Sequence, residues 1–79
     1  MDDFTVITAE ARLRRELPSP PLRRQTRERA DLTQQEVASL LSVHPSSVSR
    51  WETGSRSPAR SVAGRYSELL ARLTREVGS

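Results

Sequence analysis

Between residues 32 and 58 the apolar positions fall into two short stripes separated by a polar turn. Val37, Leu40 and Leu41 recur at helical spacing, and Val48 and Trp51 follow at i, i+3, with Ser42-Val43-His44 between them. Start and stop signals bracket both stripes. Thr33 and Glu36 form a Thr-x-x-Glu capping box, in which the hydroxyl takes an orphan amide of the first turn and the carboxylate returns to the Thr33 amide. Pro45 suits a first helical position, where a missing N–H costs nothing. Gly54 is a helix-stop glycine. Ala38 is small enough for a neighbouring helix to cross closely, and Val43 plugs the turn.

The same reading extends both ways. Ser57-Pro58 predicts the start of a long final helix over 58–77. Its stripe is Val62, Tyr66, Leu69, Leu70, Leu73 and Val77. Upstream, Ser19 followed by Pro20 predicts a helix over 20–30, with Leu22, Thr26 and Ala30 as its inward positions. Before it, Thr8 caps a short helix carrying Leu13 and Leu17, which must end ahead of Pro18. Phe4, Val6 and Ile7 form an arm. No strand alternation runs through the chain. The expectation is an all-α chain, with an N-terminal arm and short helix (1–17) ahead of a helical bundle domain (18–77).

Composition narrows what such a bundle can do. Seventy-nine residues bury little more than one small core. With no cysteine and a single histidine, disulfides and thiolate metal sites are excluded, and neither a metal nor another cofactor is implied. No acid pair, nucleophile–base pair or phosphate loop stands out, which argues against an enzyme. No apolar run is long enough to span a membrane and no signal peptide is visible, so a soluble cytoplasmic protein is the expectation. All thirteen basic residues are arginine, and the net charge is +3. That bias is consistent with a GC-rich genome, and it also supplies planar donor forks suited to phosphates and guanine edges. Arg23, Arg24, Arg27, Arg29, Arg50, Arg56 and Arg60 exceed the acids of the same stretch, Glu28, Asp31, Glu36 and Glu52, by three.

Leu32-Thr33-Gln34-Gln35-Glu36-Val37-Ala38, then Val43, then Val48-Ser49-Arg50-Trp51-Glu52-x-Gly54 with Pro58 following, resembles the Cro/repressor-type helix-turn-helix, the XRE-like family. The resemblance covers roughly residues 20–70. It implies a compact five-helix bundle of lambda-repressor-like type that binds duplex DNA. The helix from Thr33 would be the positioning helix, with Gln34 on a phosphate. The helix at 45–53 would enter the major groove and read bases through His44, Pro45, Ser46, Ser47, Ser49 and Arg50. Arg24, Gln34, Gln35, Thr53, Arg56 and Arg60 are the candidates for phosphate or minor-groove contact. An arginine–glutamate pair of the family falls on Arg27 and Glu52. The chain departs from the family where glycine is common, at Asp31 and Ser42, and at Arg23, whose position is often apolar. There the helix is either rotated or Arg23 lies along the surface.

Helix geometry reaches part of this without the resemblance. At 100° per residue Ser46, Ser49, Arg50 and Thr53 lie opposite or beside the Val48–Trp51 face. Trp51 is therefore core and not a platform for stacked bases. His44 remains open between a turn residue and a base contact. Arg12, Arg14 and Arg15 read as a solvated face. The function expected is a sequence-specific transcriptional regulator of Cro-like or controller-like repressor type. It would act as a homodimer on a palindromic operator in a bacterial host cell, as a regulator of bacterial or phage type. The alternative is an antitoxin or other protein-binding module that grips a toxin through the stripe at residues 4–17.

Overall fold

The computed structural model describes the backbone of residues 17–78 and the side chains of residues 17–76. It contains four helices among the described residues: α1 (Pro20–Arg29), α2 (Gln34–Leu41), α3 (Pro45–Thr53) and α4 (Arg60–Gly78). The fold class is all-α. The arm at 4–7 and the fifth helix expected near 8–17 lie outside the described residues, except for Leu17, which is buried in the core.

Each helix ends for a local reason. Ser19 precedes α1 in extended geometry, but its hydroxyl caps nothing, since proline occupies both first positions of the helix. Proline at the second position removes one of the two amides a capping hydroxyl reaches. At α2 the capping box is complete: Thr33 Oγ1 accepts the Glu36 N–H at 3.0 Å, and Glu36 Oε1 accepts the Thr33 N–H at 2.9 Å. Those bonds, the backbone one first, hold the Glu36 carboxyl below its usual value. The box therefore adds stability above the ordinary carboxylate range and loses it as pH falls through the lowered value. The final helix starts two residues later than Ser57-Pro58 suggests. Pro58 is buried as a packing residue, and the Ala59 carbonyl accepts the first helical bonds, from Val62 and Ala63.

Asp31 and Ser42 answer the question raised by the missing glycines. Both adopt the left-handed conformation, at φ 57° and 56°. After α1, Asp31 N–H bonds Glu28 O and Leu32 N–H bonds Arg27 O; after α2, Ser42 N–H bonds Ser39 O and Val43 N–H bonds Ala38 O. Both are Schellman endings, which satisfy the last carbonyls and fold the next apolar residue back onto the core. Leu32 and Val43 are those residues, and both pack against it. Gly54 ends α3 at φ 80°, and a Cβ there would lie 3.4 Å from Pro20 Cγ.

The core is Leu17, Val37, Ala38, Leu41, Val48, Trp51, Val62, Tyr66 and Leu70. Two inward assignments need correction. Leu40 is 56% exposed, and the buried face of α2 is Val37, Ala38 and Leu41. Leu22 is 50% exposed, and α1 has no fully buried residue. That helix is rotated so that Arg23 and Arg27 face α3, which carries Leu22 outward. The stripe of α4 is used at Val62, Tyr66 and Leu70, while Leu69 and Leu73 are half-buried.

Two stability predictions follow from the turns and the core. A side chain in left-handed geometry costs roughly 1–2 kcal/mol, offset in part by the greater unfolded entropy of glycine. Ser42→Gly should therefore stabilise the domain by roughly 0.5–1 kcal/mol, read as a rise in thermal midpoint. An unchanged or lower midpoint would show that Ser42 makes a compensating contact.

Tyr66 generates the second. Its ring packs on Trp51 with centroids 4.9 Å apart, and its buried hydroxyl has no hydrogen-bond partner among the described residues. Burial, with the nearby Glu52 charge adding, pushes its pKa up to about 12 from 10.0. The folded state keeps the proton that the unfolded chain releases. Stability from this group is complete below pH 10 and is lost as pH rises toward about 12, roughly 3 kcal/mol in all. Tyr66→Phe should flatten that alkaline loss in urea titrations and be neutral or stabilising at pH 7, because it removes an unpaired buried hydroxyl. Destabilisation at pH 7 would mean that the hydroxyl is paired.

Candidate nucleic-acid interface

A buried ion pair builds the site from behind. Arg27 on α1 donates Nε to Glu52 Oε2 at 2.7 Å and Nη2 to Glu52 Oε1 at 2.9 Å. The two side chains are 11% and 2% exposed. Further bonds extend the pair. Arg27 Nη1 bonds the Leu32 carbonyl at 2.9 Å, and Gln34 Nε2 bonds Glu52 Oε1 at 3.0 Å. The bond to Glu52 is the largest influence raising Arg27 above its ordinary pKa, against the opposing pull of burial. One ion pair thus joins α1, the α1–α2 turn, the start of α2 and the end of α3.

With its back face locked, α3 presents a polar outer face. Ser46, Arg50 and Thr53 are exposed, and Pro45, Ser47 and Ser49 are half-buried. Arg50 makes no side-chain hydrogen bond or ion pair among the described residues, so its guanidinium projects with its donors uncommitted. Its carbonyl is well covered: Thr53 Oγ1 donates to it at 3.2 Å and the Arg56 N–H at 3.4 Å.

His44 takes a definite chemical form. It is the N-cap of α3, where its Nδ1 accepts the Ser46 N–H at 3.1 Å and lies 2.8 Å from Ser46 Oγ. A backbone N–H can only donate, so Nδ1 is the unprotonated nitrogen and the ring proton sits on Nε2. In that tautomer the Ser46 hydroxyl donates to Nδ1 and keeps only acceptor capacity for a further partner. His44 is left presenting a donor, and Ser46 an acceptor.

The other candidates divide into two groups. Arg24, Gln34, Gln35, Pro45, Ser49 and Thr53 line one open cleft between α1, the start of α2 and the face of α3, with Arg27, Glu28, Asp31 and Glu52 also along it. Arg24 is exposed there and paired with Glu28 at 3.1 Å. Gln34 is half-buried with its amide turned inward to Glu52, while Gln35 is exposed. His44, Ser46, Ser47, Arg50, Arg56 and Arg60 lie outside this cleft; of these, Arg56 and Arg60 are exposed beyond the end of α3.

Several contacts escaped the sequence reading. Gln34 completes the Glu52 network, although its position suggested only a phosphate contact. Arg65 on α4 donates to the carbonyls of Leu40 and Leu41, closing the end of α2 from a distance of 24 and 25 residues along the chain. Arg23 bonds two carbonyls, Pro18 and Trp51. A side chain aimed at a remote carbonyl leaves no trace in periodicity.

Two short helices set about a left-handed turn, the second polar outward and pinned from within, define a helix-turn-helix DNA-binding domain. A family model described as Helix-turn-helix matches residues 24–76, and the chain belongs to that family, in its XRE-type branch. It is accordingly a DNA-binding transcriptional regulator in the general sense of the family. No curated protein and no solved structure matches the chain. No helix among the described residues is long and apolar enough to cross a membrane.

Breaking the buried pair should be severe. Glu52→Gln leaves the Arg27 charge buried and under-paired, at about 3–5 kcal/mol, against a total stability of about 5–15 kcal/mol for a small domain. Urea unfolding should show that loss as a lowered midpoint. Joint replacement of Arg27 and Glu52 by Met and Leu should recover much of it. A loss below about 1 kcal/mol in the single variant is what an exposed ion pair would give, and would refute the buried assignment.

Proposed function

We propose that this chain is a sequence-specific regulator of Cro-like or controller-like repressor type, with α3 in the major groove of duplex DNA and α2 positioned across the backbone. The observation that carries the reading is Arg50. Its guanidinium is uncommitted on the exposed face of a helix whose opposite face is held by Trp51 and Glu52. An arginine so placed suits guanine O6 and N7. His44 would donate through Nε2 to a purine N7, a guanine O6 or a thymine O4. Ser46 would accept from an adenine or cytosine amino group. Pro45, Ser47 and Ser49 let the backbone approach closely and specify less.

Arg24, Gln35, Thr53, Arg56 and Arg60 would supply the phosphate contacts, with Gln34 contributing through whatever donor capacity Glu52 leaves it. One strong reader on a nine-residue helix gives limited selectivity. A homodimer on a palindromic site would double it, in keeping with two-fold operators for this motif. The protein-binding alternative draws on the stripe at 4–17. Leu17, its last member, is packed in this domain's own core and is not available to a partner.

Sequences selected from random duplexes by the full chain give the probe. Arg50→Ala should weaken binding to the selected duplex by about 5- to 150-fold, the range for loss of one bidentate arginine–guanine pair. Wild-type affinity should fall steeply and linearly in log–log form as salt rises. Undiminished binding by Arg50→Ala would remove α3 as the reading helix.

A further inference from the structure

We propose that Arg23 is a positioning residue for DNA reading, one that fixes the end of the recognition helix without touching DNA. The side chain is half-buried on α1. Its Nε donates to the Pro18 carbonyl at 2.7 Å and its Nη1 to the Trp51 carbonyl at 3.1 Å. The Trp51 carbonyl is among the last four of α3, which have no donor within their own helix. Arg23 supplies one from another element, and places a cation where the helix dipole favours it.

Its neighbour makes the arrangement specific. Arg23 and Arg27 stand four residues apart on one face of α1. They grip consecutive residues of α3, one by the backbone of Trp51 and the other by the carboxylate of Glu52. The carboxylate hangs on a flexible side chain, so the Arg27 bond alone leaves the helix some axial freedom. A bond to the main chain removes it. Trp51 directly follows Arg50, so the carbonyl held by Arg23 sits next to the residue that presents the free guanidinium. The Pro18 bond anchors the clamp to the segment that enters the core at Leu17. Two of the Arg23 donors are committed within the protein, unlike those of Arg50.

The proposal rests on α3 being the reading helix, and the assay separates the two. The full chain is titrated against the selected duplex and a scrambled duplex over a salt series, at a temperature where circular dichroism shows each variant folded. Arg23→Leu should lose about tenfold or more in affinity for the selected duplex, the order of one charge-assisted hydrogen bond. Its affinity for the scrambled duplex and its salt slope should match wild type. Arg23→Lys should fail to rescue, because an ammonium lacks the planar fork that reaches both carbonyls. Arg23→Met retains more of the stem and serves if the leucine variant is unfolded. A slope shallower by about one, with parallel loss on both duplexes, would make Arg23 a phosphate ligand and overturn the proposal. Unchanged affinity for the selected duplex, or full rescue by lysine, would overturn it too. Failure of the reading-helix assignment would appear separately, as an Arg50→Ala variant that still binds the selected duplex.

Discussion

A carboxylate that is 2% exposed at the end of a nine-residue helix must be met by donors, and the donors that meet Glu52 arrange four parts of the chain. Arg27 comes from α1 and Gln34 from the first position of α2, while the third nitrogen of Arg27 reaches the turn between them. Burying such a pair gains little over an apolar contact of the same volume, since desolvation offsets much of the attraction. What it adds is directionality. An apolar patch allows a short helix to slide or roll by a fraction of a turn, whereas a bidentate guanidinium–carboxylate pair, joined by the Arg23 bond to the Trp51 carbonyl, does not. For a helix whose outer face is proposed to meet base edges in register, that restriction is the useful product.

The rotation of α1 follows from the same constraint. With Arg23 and Arg27 turned toward α3, Leu22 has to face solvent, although simple periodicity would bury it. The helix thus gives up an apolar contact worth about 1.5–3 kcal/mol if fully buried. In exchange it holds α3 through polar bonds at two successive residues. The apolar work passes instead to Leu17, Val62, Tyr66 and Leu70 around Trp51. Left-handed residues at Asp31 and Ser42 complete the frame, because each Schellman ending sends the following Leu32 or Val43 back onto that cluster.

Much of this was legible in the residues. The capping box at Thr33–Glu36, proline at the start of α3, the stop at Gly54 and the inward Val48–Trp51 face are local signals, and local geometry decided them. The Arg27–Glu52 pairing was legible only through resemblance, since 25 residues separate the partners. Leu22 and Leu40 were misassigned because a helical stripe shows which residues share a face, but not how far that face turns toward its neighbours. The late start of α4 has a similar origin: Ser57-Pro58 is a sound local start signal, overridden when Pro58 was needed for packing. Arg23 and Arg65 bond carbonyls, and a carbonyl has no sequence identity to detect.

The proposed reading face is sharper than its composition suggests. A run of serines can donate or accept, and so discriminates poorly between base edges. The His44 cap removes that ambiguity at one position: with Nδ1 engaged by the Ser46 backbone, the Ser46 hydroxyl spends its proton on the ring and can offer only lone pairs outward. The element that begins the helix therefore also sets the polarity of Ser46, the first exposed residue of its proposed reading face. At the opposite end, the bonds that close α3 leave Arg50 with a fixed backbone and a free side chain. A donor at His44, an acceptor at Ser46 and a donor fork at Arg50 make an ordered pattern along one face, and an ordered pattern is what base-edge recognition requires. Its selectivity depends on α3 holding still, which returns the weight of the design to the buried pair behind it.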